Sequence, residues 1–426
     1  MTKDVDSHNL PAFAKASSGV SRRRSLQALG AAGAAAFGIK AHAADTLKIA
    51  SVNSLSGNLS KYGQEIQRGF DLAVELVNAK GGIPVGGTNY RIEPALYDDR
   101  SDGTTAARLA ERAYLNDDSE MVVAGLTSGI ARALIAVAQR LKRPMLAQFA
   151  NLDSVLVVQK GDPYFFEPVT PFSQFYDQIL KMLPTMGPPV PKRVVVVTRT
   201  DDMGAVFQRP ELAKELAATG LELLSVELFP PGTQDFASII DKVRKLAPQT
   251  LLLNCYTAEL IPLLKEMDAR NYFPPVLIVE APSGLIEAVG NKIDGAIVPT
   301  AWDPSLTVTK DKYVGTSKDF AAAYKKKYGK DVPDFMAAMG ANNVILFALV
   351  LEKLGKLKDP AGVLKGLKEF DGETFFAKIK FNDIGLNPSN TMYPAQFQAG
   401  DIKLVYPDNV RMAKVVYPNP NSVQSK

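Results

Sequence analysis

The chain has 426 residues, 46% hydrophobic and 22% charged, the balance of a soluble globular protein long enough for two or three domains. Its formal charge of +4 lies entirely in residues 1–43, where Lys3, Lys15, Arg22, Arg23, Arg24 and Lys40 stand against only Asp4 and Asp6. The remaining chain is charge-balanced, so the basic total is no argument for nucleic-acid binding, and no nucleic-acid partner is expected.

The same 43 residues hold both histidines, His8 and His42. Without them the chain has no imidazole for a catalytic triad, a general base or a metal site. The only cysteine, Cys255, excludes an intrachain disulfide and a thiolate cluster. No catalytic residue, metal or cofactor is expected.

Ser21-Arg22-Arg23-Arg24-Ser25-Leu26 precedes a soft Ala/Gly-rich run over Leu26–Ile39, and Ala41-His42-Ala43 is a small-x-small cleavage pattern. Residues 1–43 therefore read as a signal peptide cleaved near Ala43. The paired arginines resemble a twin-arginine export signal, although Ser25 stands where that motif prefers Phe. Export implies a periplasmic protein. No later segment reads as a transmembrane helix, so the exported chain is expected to be soluble.

From Thr46 onward strand and helix patterns alternate. Leu47–Ala50 reads as a strand entering the Ser56-Gly57 loop; Glu65–Asn78 places Ile66, Phe70, Ala73 and Val77 on one helical face, ended by Gly81-Gly82. Tyr90–Tyr97 alternates as a strand, Thr104–Leu115 is helical, and Met121–Ala124 is a buried strand followed by Gly125–Gly129 and a helix to Leu141. Pro144–Ala147 is the next strand. The rhythm restarts with Val194–Val197, a helix over Val206–Thr219, and strands at Leu221–Leu228, Thr250–Leu253 and Val276–Val279, with helices at Phe236–Leu246 and Glu259–Ala269 between them. Helices follow at Ser317–Tyr328 and Asp334–Leu354, then short strands at Ala377–Phe381, Tyr393–Gln398 and Ile402–Tyr406.

This is the pattern of an α/β protein with two doubly wound, Rossmann-like lobes. Three crossover segments join them, giving lobe 1 residues 44–167 plus 303–374, lobe 2 residues 168–302 plus 375–412, and a C-terminal tail at 413–426. Ligand is expected at the strand C-termini facing a shared cleft.

Three stretches carry a resemblance: Leu55-Ser56-Gly57 with Tyr62-Gly63; Gly125-Leu126-Thr127-Ser128-Gly129 with Pro144 beyond it; and Pro230-Pro231-Gly232-Thr233-Gln234-Asp235-Phe236. In this order and spacing the chain resembles the branched-chain amino-acid-type periplasmic binding proteins of ABC importers, with the type I fold, over about Thr46–Val410. The resemblance implies an interlobe ligand site. Ser56 and Tyr62 would line it from the first loop, Thr127 and Ser128 from the loop after the third strand, and Ala150 and Asn151 from the loop after the fourth. Hydroxyls and backbone N–H groups there would hold a ligand carboxylate. Tyr256, Thr257 and Glu280 would close from the second lobe, Glu280 on an α-ammonium group.

The chain departs from the family pattern at Glu167, usually Arg, and at Met203, usually Tyr. Gln148 and Phe149 replace small or hydroxyl residues. With Tyr62 and Phe166, Phe149 makes the pocket more aromatic, which argues against a leucine-type ligand and leaves aromatic acids, amides and larger amino acids open. The implied partners are such a small-molecule ligand and a membrane permease, and the implied state is a monomer.

Other readings stand beside this one. Thr127-Ser128 is also a helix N-cap pattern. Asp98-Asp99 with Asp102 lacks EF-hand spacing and reads as a strand end and a helix cap rather than a metal site. Trp302 lies near the second crossover and is a further cleft candidate, while Cys255 reads as a buried small hydrophobe. The same fold serves sensory modules that feed a receptor or kinase, and a carboxylate-pair hydrolase needs no histidine. No phosphate-binding Gly-x-x-x-x-Gly-Lys-Ser/Thr sequence is present.

Overall fold

The apolar runs read as strands form the middles of two sheets in the computed structural model, which describes residues 45–150, 153–280, 284–306, 309–332 and 334–422. The first sheet is built from β1 (Thr46–Asn53), β2 (Ile83–Val85), β3 (Thr88–Asp98), β4 (Met121–Ala124), β5 (Met145–Ala147) and β6 (Phe165–Phe166), in the order β2-β3-β1-β4-β5-β6. All its pairs are parallel except the β2–β3 edge.

The second sheet starts from β7 (Arg193–Arg199), β8 (Glu222–Phe229), β9 (Thr250–Asn254), β10 (Val276–Val279) and β11 (Ile297–Thr300). Two short hairpins follow, β12 (Lys310–Asp311) with β13 (Gly315–Thr316) and β14 (Asp371–Glu373) with β15 (Lys378–Lys380). The chain then returns to the second sheet as β16 (Tyr393–Gln398) and β17 (Asp401–Leu404), giving the order β17-β16-β11-β10-β9-β7-β8. β16 lies antiparallel on β11.

In each sheet the first strand is internal, third of six in the first sheet and next to the edge strand β8 in the second. The chain builds outward on one side of it, then crosses to the other, so crevices open at the C-terminal ends of β1 and β4 and of β7 and β9. Such switch points are where open α/β sheets take ligands.

Packing explains where the structure departs from the sequence reading. Of the helix expected over 206–219 only Leu212–Ala218 forms, preceded by a separate short helix at Asp202–Ala205. Pro210 disfavours helical backbone at the residue before it and interrupts the run. Phe375 stacks on Phe320 at 4.7 Å and Phe381 meets Phe166 at 5.1 Å, so the stretch expected to open the last part of lobe 2 at 375 packs with first-lobe residues. Only β16 and β17 of that stretch extend the second sheet.

Helix Phe335–Leu354 corrects another expectation: it is long and apolar enough to cross a membrane. It is apolar all round because it runs through the core, where Asn342 and Asn343 are fully buried with it. It packs against helix Ser60–Ala79 at backbone distance. A Cβ on Gly69 would sit 1.6 Å from the Ala337 carbonyl oxygen, and one on Gly340 2.1 Å from that of Ile66. The expected signal peptide at 1–43 lies outside the described residues. Of the tail, residues 413–422 are described, and they lie along the second lobe, where the Val416 N–H donates to Gln396 and the Asn419 N–H to the Pro275 carbonyl.

Candidate functional site

The first lobe contributes three strand-end loops. After β1, the Asp98 carboxylate gathers the loop: it accepts the N–H groups of Leu55, Ser56 and Arg100 and the Ser56 hydroxyl at 2.7 Å. Ser56 is exposed. These bonds hold the Asp98 carboxyl below its ordinary range despite some desolvation. Asp99 accepts from the Ser54 hydroxyl and the Ser101 N–H, and Asp102 caps helix Gly103–Leu115 through the Thr105 N–H. The acidic run thus shapes the loop.

After β4, Thr127 is the N-cap of helix Ser128–Leu141, its hydroxyl accepting from the Ile130 N–H at 3.3 Å, and both Thr127 and Ser128 are buried. After β5, the Ala150 N–H donates to Glu167, whose other carboxylate oxygen accepts the Val169 N–H at 3.0 Å. Glu167 is fully buried, and burial pushes its carboxyl up to about 7 although both N–H bonds oppose the shift. Asn151 lies outside the described residues. Phe149 is buried against Phe175 and Phe335, at ring distances of 6.1 and 5.6 Å.

The second lobe contributes the ends of β7, β9 and β10. Arg199 ends β7. It donates to Asp201 and to Glu259, and its guanidinium lies 4.6 Å from the Tyr256 ring centre. Glu259 also accepts the Gly232 N–H, which ties the Pro-Pro-Gly turn to the same cluster. Tyr256 and Thr257 follow β9 at the start of helix Thr257–Ala269.

Glu280 follows β10 and is 1% exposed, and its Oε2 has no hydrogen-bond partner among the described residues. Burial pushes its carboxyl up to about 8, and Arg199 opposes the shift. Its charge acts in turn on the hydroxyls of Tyr62, Tyr176 and Tyr256 and on Cys255. These groups therefore lie within electrostatic reach of the carboxylate.

Tyr62 joins the two sets. It rises from the first helix, is 3% exposed, and its hydroxyl oxygen accepts the Thr257 N–H at 2.8 Å and the Thr257 hydroxyl at 2.6 Å. Its ring meets Tyr256 edge-on at 6.2 Å. Two ion pairs span the lobes nearer the surface, Arg132 with both Asp202 oxygens at 2.8 Å and Lys61 with Glu287 at 3.6 Å.

Tyr62, Tyr256 and Thr257 come together across the lobes, within electrostatic reach of Glu280, while Phe149 packs in a run of rings with Phe175 and Tyr176, the last two 5.3 Å apart. Ser56, Thr127 and Ala150 instead spend their named bonds inside the first lobe. Trp302 is not a cleft residue: its Nε1 donates to Ser317 and its ring packs on Phe320 and Phe375. Phe166 packs on Phe381 in the core.

Sequence reasoning missed Tyr176, Arg199 and Glu259. Tyr176 donates to Asn254 at 3.0 Å from the first crossover, and its ring meets Phe207 at 5.8 Å. Arg199 did carry a signal, being a charge at the end of the Val194–Val197 strand, where the strand-end rule places cleft residues.

The family model for periplasmic binding proteins matches residues 46–401. The chain belongs to that family. A curated relative, the Leu/Ile/Val-binding protein homolog 7 of Brucella abortus, is 24% identical over 393 residues, covering 89% of this chain and 96% of its own.

Among solved structures, the branched-chain amino acid transporter substrate-binding protein LivJ of Streptococcus pneumoniae, in complex with isoleucine, superposes with a TM-score of 0.71 at 23% identity, over 88% of this chain and 100% of that one. An ABC transporter solute-binding protein from R. palustris in complex with benzoate gives a TM-score of 0.69 at 18% identity, over 87% and 99%. The fold is thus the two-lobed type I periplasmic binding fold.

Proposed function

We propose that the chain is the extracytoplasmic solute-binding component of an ABC importer. It captures an amino acid or a related carboxylate or amide between its lobes, closes about the crossover segments, and presents the closed form to a membrane permease. Closure follows from geometry: only the closed state lets a ligand touch both lobes, so ligand shifts the equilibrium toward it. The protein acts as a monomer, has no catalytic role, and reaches the periplasm through its twin-arginine-like leader, cleaved near Ala43.

The observation that carries this reading is the meeting of Tyr62 from one lobe with Thr257 from the other, within electrostatic reach of the buried Glu280, whose Oε2 has no hydrogen-bond partner among the described residues. In it Glu280 receives the ligand's amino group, Tyr62 and Tyr256 wall it, and Phe149 bounds its apolar end. Ser56, Thr127, Ser128, Ala150 and Asn151 shape the first-lobe side.

The test is a thermal-melt screen of protein unfolded and refolded to strip ligand, against amino acids, amides, amines and aromatic carboxylates. Binding to the folded state alone raises Tm by mass action. A saturable shift that Glu280→Gln abolishes supports the assignment. Turnover of a bound compound would replace it with an enzymatic one.

A further inference from the structure

We propose that the captured solute is a monocation with an apolar body and no free carboxylate, its protonated amine meeting Glu280 among the Tyr62, Tyr176 and Tyr256 rings. This rests on the solute-capture reading and sets an amine in place of the amino acid, carboxylate or amide named there. The first observation concerns the groups that would hold a ligand carboxylate. The Ser56 N–H and hydroxyl are both taken by Asp98, the Ala150 N–H by Glu167, and the Thr257 N–H by Tyr62. Internal carboxylates and a phenol thus already take donors of three of the residues that an anionic ligand end could use.

The second observation is charge. Asp201, Glu259 and Glu280 stand together against Arg199, which is already engaged by Asp201 and Glu259. A ligand carboxylate would add another buried anion to this set, whereas a cation supplies the partner that Glu280 lacks. The third is shape. Tyrosine rings next to a carboxylate attract an ammonium group through their faces. Beyond them Phe149, Phe175, Tyr176 and Phe207 form a continuous series of rings, with neighbouring centres 5.3–6.1 Å apart, suited to an apolar body.

Four compounds on one skeleton separate the possibilities: phenethylamine (cation), phenylalanine (zwitterion), 3-phenylpropionate (anion) and N-acetylphenethylamine (neutral). An aliphatic set on the leucine skeleton repeats the comparison. Calorimetric titration of the refolded protein is expected to give the amine at least tenfold tighter binding than the zwitterion, with no measurable binding of the anion or the neutral amide. Glu280→Gln is expected to weaken the amine at least thirtyfold. If that variant does not fold, the ligand comparison decides alone. Zwitterion or anion binding as tight as the amine overturns the cation assignment and leaves solute capture standing. Silence from both sets also overturns it. Solute capture itself fails if, in addition, a total metabolite extract neither shifts Tm nor leaves a bound small molecule in native mass spectra.

Discussion

The Tyr62 hydroxyl oxygen sits 2.8 Å from the Thr257 backbone nitrogen and 2.6 Å from its hydroxyl, joining the first helix of one lobe to the first turn of a helix in the other. A helix N-terminus has N–H groups without intrahelical partners. Here one of them is satisfied by a residue reached only across the cleft. In the hinge closure proposed above, this contact is made on closing and lost on opening.

Tyr62→Phe keeps the ring and removes this acceptor. A buried hydrogen bond contributes about 0.5–1.5 kcal/mol. Ligand affinity is expected to fall by roughly twofold to tenfold, with Tm in the absence of ligand moving little. An unchanged affinity in a binding titration would show that the contact does not favour closure.

The Arg132–Asp202 pair also spans the lobes, but both side chains are about half exposed. Exposed pairs are worth ~0–1 kcal/mol and are screened by salt. A double-mutant cycle with Arg132→Ala and Asp202→Ala, read by ligand affinity, is expected to give a coupling below about 1 kcal/mol that vanishes in high salt. A larger, salt-independent coupling would make this pair, rather than Tyr62 and Thr257, the contact that favours closure.

Glu167 makes the ligand-free fold sensitive to pH, because its carboxyl is buried on bonds made inside the first lobe. Burial raises it to about 7, from an ordinary value of 4.5. The folded state thus keeps a proton that the unfolded chain releases. Its stability contribution is complete below about pH 4.5 and is lost as pH rises through about 7. Denaturant melts of ligand-free protein are expected to show stability falling between about pH 5 and 7.5, with Glu167→Gln flattening the fall. Equal slopes for variant and wild type would contradict the placement of this carboxyl.

Gly340 and Gly69 let two core helices touch at their backbones. Gly340→Ala would place a Cβ 2.1 Å from the Ile66 carbonyl oxygen. Overpacking of this kind costs ~1–3 kcal/mol. A lowered Tm with little change in ligand affinity is expected, and an unchanged Tm would mean that the helices separate at no cost.

Much of this architecture is legible in the chain because its cause is local. The Val194–Val197 run and the alternation over Tyr90–Tyr97 announce strands, and the strand-end rule points to Tyr256, Thr257 and Glu280. What could not be read depends on distant partners. The edge strand Ile83–Val85 is only three residues and exists by pairing with β3. Ala150 reads as a ligand donor, but Glu167, seventeen residues on, takes its N–H. Ser56 reads the same way, but Asp98, forty-two residues away, holds it. Helix Asp334–Leu354 is clear as a helix, yet its membrane-like composition makes sense only once its burial between neighbours is seen.

The central claim is that the two lobes close on a solute, and an interlobe distance tests it most directly. Spin labels at Lys61→Cys and Glu287→Cys replace an exposed pair that contributes little, and the native Cys255 is buried away from the reagent. Pulsed electron spin resonance on ligand-stripped protein is expected to give a long, broad distance distribution that collapses to a short, narrow one when a compound that raises Tm is added. A distribution unchanged at saturation would contradict the account.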